Sequence, residues 1–332
     1  MSDERTGAAR ADWSDVAVII PCYNEEPTVA KVVADFRAAL PGAAVYVYDN
    51  NSSDRTAELA RAAGAIVRRE PRQGKGNVVR QMFRDIDAAC YLMVDGDDTY
   101  PAEAAPQLCE PVLADEADMT VGDRLTNGTY AEENKRAFHG FGNDLVRAMI
   151  KWIYGFSFGD VMTGYRAMSR PFAKTFPVLS QGFQIETELS IHAVDRRWRI
   201  ADVPIVYRDR PEGSVSKLDT VGDGVRVLAM IGSLFKDYRP LKFFSLVALV
   251  FLVLGLVPGV SVVIEFLRTG LVPRLPTAVL AVALVFLCGL SFATGLILDT
   301  VAKAERKEWE LEVYRVAAES RARAEHRADA DQ

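Results

Sequence analysis

The chain reads as an α/β protein, a mostly parallel sheet covered by helices, followed by two membrane-spanning helices. Three observations predict this. Short β-branched runs alternate with helix-like stretches through the first hundred residues. Polar and acidic side chains gather where those runs end. Residues 243–264 and 275–298 contain no charged side chain. Strand–helix–strand alternation favours parallel pairing, because each helix returns the chain to the same end of the sheet.

The elements follow in order. Residues 16–20 form an apolar run ending at Pro21 and read as a buried strand. A helix is expected over 27–40, with Pro27 suited to its first turn. Strands are expected at 45–48, 65–69 and 91–94, with helices at 54–63 and 76–88 between them. Further on, helices are expected near 133–153 and 186–196 and a strand near 200–207. Ligands of parallel sheets bind beyond the carboxyl ends of the strands. Asn24 and Glu25, Asp49, and Asp95 with Asp97 stand at those ends.

Residues 243–264 and 275–298 are each long enough to cross a hydrocarbon core, and only ten residues separate them. They are expected to form a hairpin. Lys236, Arg239 and Lys242 precede the first span and Lys303, Arg306 and Lys307 follow the second, while the connection carries only Arg268 and Arg274. That bias places the α/β domain and both termini in the cytoplasm. Pro258 is tolerable in a membrane helix, where neighbours satisfy the freed carbonyl. The expected organisation is a disordered N-terminus at 1–14, the α/β domain at 15–218, a juxtamembrane segment at 219–242, the hairpin, and a cytoplasmic helix or tail at 299–332. Val221, Val225, Leu228, Ile231 and Phe235 recur at helical spacing, which fits an interfacial helix or one packed on the domain. The tail mixes acids and bases, as a solvated or self-associating helix does.

Composition excludes several classes. The net charge is −6 and no segment forms a sustained basic face, so nucleic acid is not an expected partner. Four scattered cysteines and three histidines offer neither a disulfide framework nor Cys/His zinc spacing. Residues 1–14 lack the apolar core of a cleaved signal peptide.

The strongest local signal is Val94-Asp95-Gly96-Asp97-Asp98, at the end of an apolar strand. Two carboxylates two residues apart can hold a hard divalent cation bridging two phosphates, and Gly96 permits close backbone approach. Asp49 can accept hydrogen bonds from a nucleobase or ribose, whereas Asp54 suits a helix cap. In Gln73-Gly74-Lys75-Gly76-Asn77 the amides and Lys75 can face phosphate, or the segment can be a structural turn. It lacks Walker A spacing.

The ordered series PCYNEE (21–26), YDNNSSDRT (48–56), QGKGN (73–77) and VDGDDTYP (94–101) resembles glycosyltransferase family 2, of the GT-A fold. VGDR (121–124), ENKR (133–136), DVMTGYRAMSR (160–170) and RPEGSVSKL (210–218), with the C-terminal hairpin, are similar to the polyprenyl-phosphate and dolichyl-phosphate sugar synthases. The likeness spans about residues 16–298. It implies that Pro21, Tyr23, Glu25 and Asp49 line a nucleotide pocket, joined by Lys75 and Gly96. It implies that Asp95 and Asp97 engage the donor diphosphate and its Mg²⁺ or Mn²⁺. Arg124 and Arg136 match arginines that hold the acceptor lipid phosphate, with Asp160 a weaker candidate there. Arg210, Ser216 and Lys217 would lie on a loop closing over the donor phosphates. Thr99 departs from the pattern, standing where related mannosyltransferases often place a glutamine ligand.

The implied reaction is inverting transfer of a sugar from a nucleotide-sugar donor to polyprenyl phosphate at the cytoplasmic membrane face. A UDP-hexose or UDP-N-acetylhexosamine donor is favoured over GDP-mannose. A phosphate monoester has its second pKa near ~6, so the acceptor is already an anionic nucleophile that needs positioning more than deprotonation. Arginine suits that task because guanidinium binds phosphate oxygens bidentately. Glu186 and Glu188 read equally as sugar-hydroxyl contacts or as plain helix acids, and His139 and His192 as structural. Among rivals, a processive polysaccharide synthase would need a glutamine at Val194, ahead of Arg197-Trp198, and more than two spans. A nucleotidyltransferase would need a glycine-rich loop where Pro21-Cys22-Tyr23-Asn24 stands. A catalytically silent membrane scaffold would not need the acidic triplet.

Overall fold

The computed structural model describes residues 12–124, 148–149, 151–153, 155, 159–208 and 220–330. The chain divides into two compact units, Met1–Val227 with Glu312–Gln332, and Leu228–Leu311.

The first unit is built on a seven-stranded sheet. In chain order it contains β1 (Val16–Cys22), α1 (Val29–Ala39), β2 (Ala44–Asp49), α2 (Thr56–Ala62), β3 (Ile66–Arg69), α3 (Lys75–Asp85), β4 (Cys90–Met93), α4 (Ala105–Leu113), β5 (Met119–Asp123), β6 (Arg166–Ser169), α5 (Arg170–Thr175), α6 (Ile185–Asp195) and β7 (Ile200–Pro204). The strand order is β3-β2-β1-β4-β6-β5-β7. β1, β2, β3 and β4 run parallel, as does the β5–β7 pair, while β6 lies antiparallel between β4 and β5. This is the mostly parallel α/β sheet that the alternating pattern predicts.

Local sequence explains the first half. Val18 and Ile20 of β1 are buried with Val45 and Val47 of β2. Val29, Val32, Val33 and Phe36 occupy one face of α1, at i, i+3, i+4 and i+7, and all are buried. Phe36 meets Tyr165 edge-on, with centroids 5.9 Å apart. At α2, the Asp54 carboxylate accepts the Thr56 amide and, across to the neighbouring loop, the Glu26 amide. α6 differs, because Glu186, Glu188, Ser190, His192 and Asp195 are all buried along with its apolar residues.

His192 lies edge-on to Phe172 and Phe176, at 5.8 and 5.0 Å between centroids. Burial, and then the charge of Arg196, push its pKa down to about 3. The folded state therefore holds this imidazole neutral, whereas the unfolded chain protonates it near pH ~6.5. Stability should fall as pH drops from about 6.5 toward 3, by up to about 1.4 kcal/mol per pH unit. Chemical unfolding of the wild type and His192→Phe across that range should show the steeper acid loss in the wild type.

The C-terminal segment also belongs to this unit. Arg170, at the start of α5, donates to the Val316 carbonyl at 3.3 Å and to Ser320 Oγ at 3.1 Å, and pairs with Asp87 at 2.7 Å. Arg323 pairs with the same aspartate. Val316 is buried. The tail thus has a specific seat, where charge pattern alone suggests a solvated or self-associating helix.

Three long helices close the chain: α7 (Thr220–Tyr238), α8 (Pro240–Thr269) and α9 (Leu275–Ala330). Both predicted spans fall within α8 and α9, and the second continues without a break into the tail. Only 17% and 11% of their most apolar windows are buried, unlike the core helices of a soluble domain. They are long and apolar enough to cross a membrane. Small residues let them approach: a side chain on Gly255 would meet Leu284 and Val285 at 3.1 and 3.2 Å. At the connection, Arg274 pairs with Glu265 at 2.8 Å. Along α7, Val225 and Leu228 are exposed whereas Ile231, Leu234 and Phe235 are buried.

Candidate active site

Parallel pairing of β2, β1 and β4 brings three loops together at the carboxyl ends of those strands. The loop after β1 is tied to the loop after β2 by paired bonds: the Asn24 amide donates to Ser52 Oγ at 2.9 Å and the Ser53 amide donates to Asn24 Oδ1 at 2.8 Å. The Glu25 amide donates to Thr56 Oγ1 at 2.8 Å. Asn24, Asn51 and Asp98 adopt left-handed φ values of 53°, 64° and 60°, one in each loop. Such conformations persist only where surrounding bonds hold them, and they concentrate at functional sites.

Asp49 closes β2 in register with Cys22 of β1; it is buried and accepts the Ser52 amide at 3.2 Å. Pro21 stands in register with Tyr48. Tyr23 is exposed at the rim. Gly96 presses on the first loop: a Cβ there would lie 2.7 Å from Cys22 Sγ and 3.4 Å from Glu25 Cγ. Thr28 Oγ1 donates to the Gly96 carbonyl at 2.6 Å. The segments carrying Glu25, Asp49, Asp95 and Asp97 are therefore neighbours.

Of the two readings of Gln73–Asn77, hydrogen bonding favours the structural one for the glycines. The Gly76 and Asn77 amides donate to the Gln181 carbonyl at 3.0 and 3.4 Å. A Cβ on Gly76 would fall 2.1 Å from the Ser180 carbonyl oxygen. The Gly74 amide donates to Asn50 Oδ1 at 2.7 Å. Glu188 fixes the opposing loop, accepting from the Leu179 and Ser180 amides, both at 2.9 Å. Its role is that of a loop anchor.

Lys75 and Glu186 behave differently. The Lys75 ammonium is buried between Asp95 Oδ1 and Glu186 Oε1, the latter 2.5 Å away. Burial opposes its charge, but the two carboxylates outweigh burial and raise its pKa. Burial also raises the pKa of Glu186, with Lys75 acting against it. On the other side of Asp95, a Cβ on Gly164 would come within 2.7 Å of Oδ2. The Asp95 carboxylate is thus held between an ammonium and a backbone that must be glycine.

Asp97 is buried, and its Oδ1 accepts from Thr99 Oγ1 at 2.7 Å. Thr99 orients this carboxylate by a hydrogen bond.

Arg124 follows β5. Its Nε and Nη2 donate to the two oxygens of Asp160 at 2.6 and 3.1 Å, and its guanidinium lies 5.3 Å from the Tyr207 ring centroid. Asp160 is fully buried and also accepts the Met162 amide. The loop from Asp160 to Tyr165 runs from this pair to Asp95, whose Oδ2 faces Gly164, and the Gly164 amide donates to the Tyr100 hydroxyl at 3.0 Å. Burial raises the Tyr100 pKa, with Arg124 lowering it and Asp95 raising it, so both charges act on one hydroxyl. Arg166 braces the loop from beneath. It is fully buried and donates to the Thr163 and Val161 carbonyls at 3.0 and 2.6 Å and to Ser190 Oγ at 2.8 Å.

Comparison with known proteins decides the family. Residues 17–175 match the family model described as glycosyl transferase family 2. The chain is 32% identical to Glycosyltransferase AglJ of Haloferax volcanii over 85% of this chain and 90% of that protein. It is 32% identical to the Dolichyl-phosphate hexose transferase of the same organism, over 65% of this chain and 91% of that protein. The chain belongs to glycosyltransferase family 2. A solved structure of similar fold is the glucosyl-3-phosphoglycerate synthase of Mycobacterium tuberculosis in complex with Mn²⁺, UDP-glucose and phosphoglyceric acid. Its TM-score is 0.53, with 25% identity over 66% of this chain and 79% of that one.

In this family 2 glycosyltransferase, Asp95 and Asp97 present hard oxygen donors of the type that Mg²⁺ and Mn²⁺ take. Among the described residues no group of three or more Asp, Glu, His or Cys encloses a cation. Arg136, Arg210, Ser216 and Lys217 lie outside the described residues. Tyr100, Gly164 and Arg166 are additions to the site residues read from sequence. The short buried strand carrying Arg166 gave no periodic signal, and Tyr100 lacks a charge to mark it.

Proposed function

We propose that this glycosyltransferase moves a sugar from a nucleotide-sugar donor to polyprenyl phosphate, with inversion at the anomeric carbon, on the cytoplasmic membrane face. The observation that carries this reading is the 160–165 loop, which joins the Arg124–Asp160 pair to the Asp95 carboxylate through Gly164 and Tyr100. A cationic acceptor element and an acidic donor element then border one reaction centre. The apolar helices α8 and α9 would keep that centre near headgroups, where a polyprenyl phosphate presents its phosphate while its tail stays in lipid. The basic residues flanking α8 and α9 support a cytoplasmic placement.

In this reading Pro21, Tyr23, Glu25 and Asp49 receive the nucleotide, and Asp95 and Asp97 hold a divalent cation with the diphosphate. That cation, when bound, would offset charge gathering on the leaving diphosphate. Arg124 and Arg136 orient the acceptor phosphate, and Asp160 fixes the plane of the Arg124 guanidinium. Arg210, Ser216 and Lys217 close over the donor. The phosphate monoester attacks as a dianion, so the protein supplies alignment and water exclusion instead of a general base.

The donor is the open variable. A UDP-hexose or UDP-N-acetylhexosamine is preferred, and the UDP-glucose in the similar mycobacterial structure supports a uridine nucleotide. The test is a panel of UDP-glucose, UDP-galactose, UDP-N-acetylhexosamines and GDP-mannose, each with one short polyprenyl phosphate and Mn²⁺. Nucleoside diphosphate release stimulated by lipid phosphate should appear with one UDP-sugar. Release with GDP-mannose alone would overturn the donor choice, and lipid-independent hydrolysis throughout would overturn the acceptor.

A further inference from the structure

At the end of β4 the Lys75 ammonium is shared by two carboxylates, the partly exposed Asp95 and the buried Glu186, and the buried Asp97 follows Asp95 by two residues. Lys75 sits on Asp95 Oδ1, so it shares that carboxylate with any bound cation. Glu186 lies on the ammonium's other contact and draws it away from Asp95.

We propose that Lys75 is a positioning residue that clamps Asp95, and that Glu186 sets the strength of the clamp, so that the pair regulates how much of Asp95 is available to the cation. This inference rests on Asp95 and Asp97 being the cation ligands. It differs from a phosphate-binding role for Lys75, which would put the ammonium on the donor. Removing each charge has an opposite consequence. With Glu186 neutral, the ammonium belongs to Asp95 alone and the cation binds less tightly. With Lys75 neutral, Asp95 loses its competitor and the cation binds more tightly, but the carboxylate is no longer aligned for the donor. On its Oδ2 side Asp95 faces Gly164, where an added Cβ would come within 2.7 Å of that oxygen.

The experiment is Mn²⁺ titration of the full chain in detergent, followed by electron paramagnetic resonance, with and without UDP or GDP. Glu186→Gln should weaken Mn²⁺ binding by about tenfold, and Lys75→Met should strengthen it by about tenfold while sugar transfer falls. Lys75→Arg keeps the charge and should stay within about threefold of wild type. A purely structural role would move Lys75→Met and Glu186→Gln in the same direction, and that result overturns the inference. Should Lys75→Met fail to fold, Glu186→Gln, which preserves shape, carries the sign test alone: tighter or unchanged Mn²⁺ binding overturns the clamp. If the unaltered chain binds no Mn²⁺ under any condition, the metal reading falls and this inference with it. Wild-type binding with parallel shifts in the variants removes this inference only.

Discussion

Asp97→Asn should reduce sugar transfer by about a thousandfold or more while leaving the fold in place. The substitution keeps the shape and the oxygen that accepts from Thr99 Oγ1, so that hydrogen bond in the buried loop after β4 is retained while the charge is lost. Alanine would remove that hydrogen-bond acceptor as well and leave the buried Thr99 hydroxyl without it, at a cost of about 1–3 kcal/mol in stability. Asparagine therefore separates chemistry from folding. Initial rates at saturating donor and lipid, beside a thermal unfolding curve, measure both quantities. Retained transfer would refute the cation role of Asp97.

Arg124 carries the second large effect, and its geometry determines which variant is informative. Asp160 is fully buried and bound in a fork by Arg124. Arg124→Ala would leave that carboxylate without its main counter-charge, a loss of about 3–5 kcal/mol in stability. A drop in activity from that variant would mix misfolding with acceptor loss. Arg124→Lys keeps the charge but not the planar fork, so it can serve Asp160 or an acceptor phosphate but not both with bidentate geometry. It should raise KM for polyprenyl phosphate by about tenfold, with donor KM nearly unchanged. Steady-state kinetics varying each substrate in turn provide the check. An equal rise in donor KM would place Arg124 on the wrong substrate.

The fold was most legible where a single rule governed each residue. In β1 and α1, β-branched runs and the 29, 32, 33, 36 spacing follow burial directly. Legibility failed where tertiary contacts override local pattern. β6 is four residues long and begins with a fully buried arginine, which no hydropathy rule would place in a core. Its value lies in three acceptors, the Val161 and Thr163 carbonyls of the preceding loop and the more distant Ser190 Oγ. α6 carries so many buried polar residues that it has no apolar stripe, so Glu186 and Glu188 looked alike. Only the fold separates them, one on Lys75 and the other on two backbone amides.

The candidate site shows the same division. The acidic triplet and the arginine after β5 were visible because charge at a strand end is locally unusual. Gly164 was not, because its requirement comes from Asp95, sixty-nine residues away in sequence, whose Oδ2 an added Cβ would approach within 2.7 Å. The glycines of Gln73–Asn77 could be read two ways because phosphate and a peptide carbonyl both accept from backbone amides. The Gln181 carbonyl takes those bonds here.

The most direct measurement supplies the purified chain, reconstituted in liposomes, with labelled nucleotide sugar and two acceptors of equal chain length, a polyprenyl phosphate and the matching polyprenol. Labelled lipid should form from the phosphate and not from the alcohol, since only the former arrives as an ionised nucleophile for Arg124 to orient. Equal labelling of both lipids, or of neither with every donor in the panel, would contradict the account.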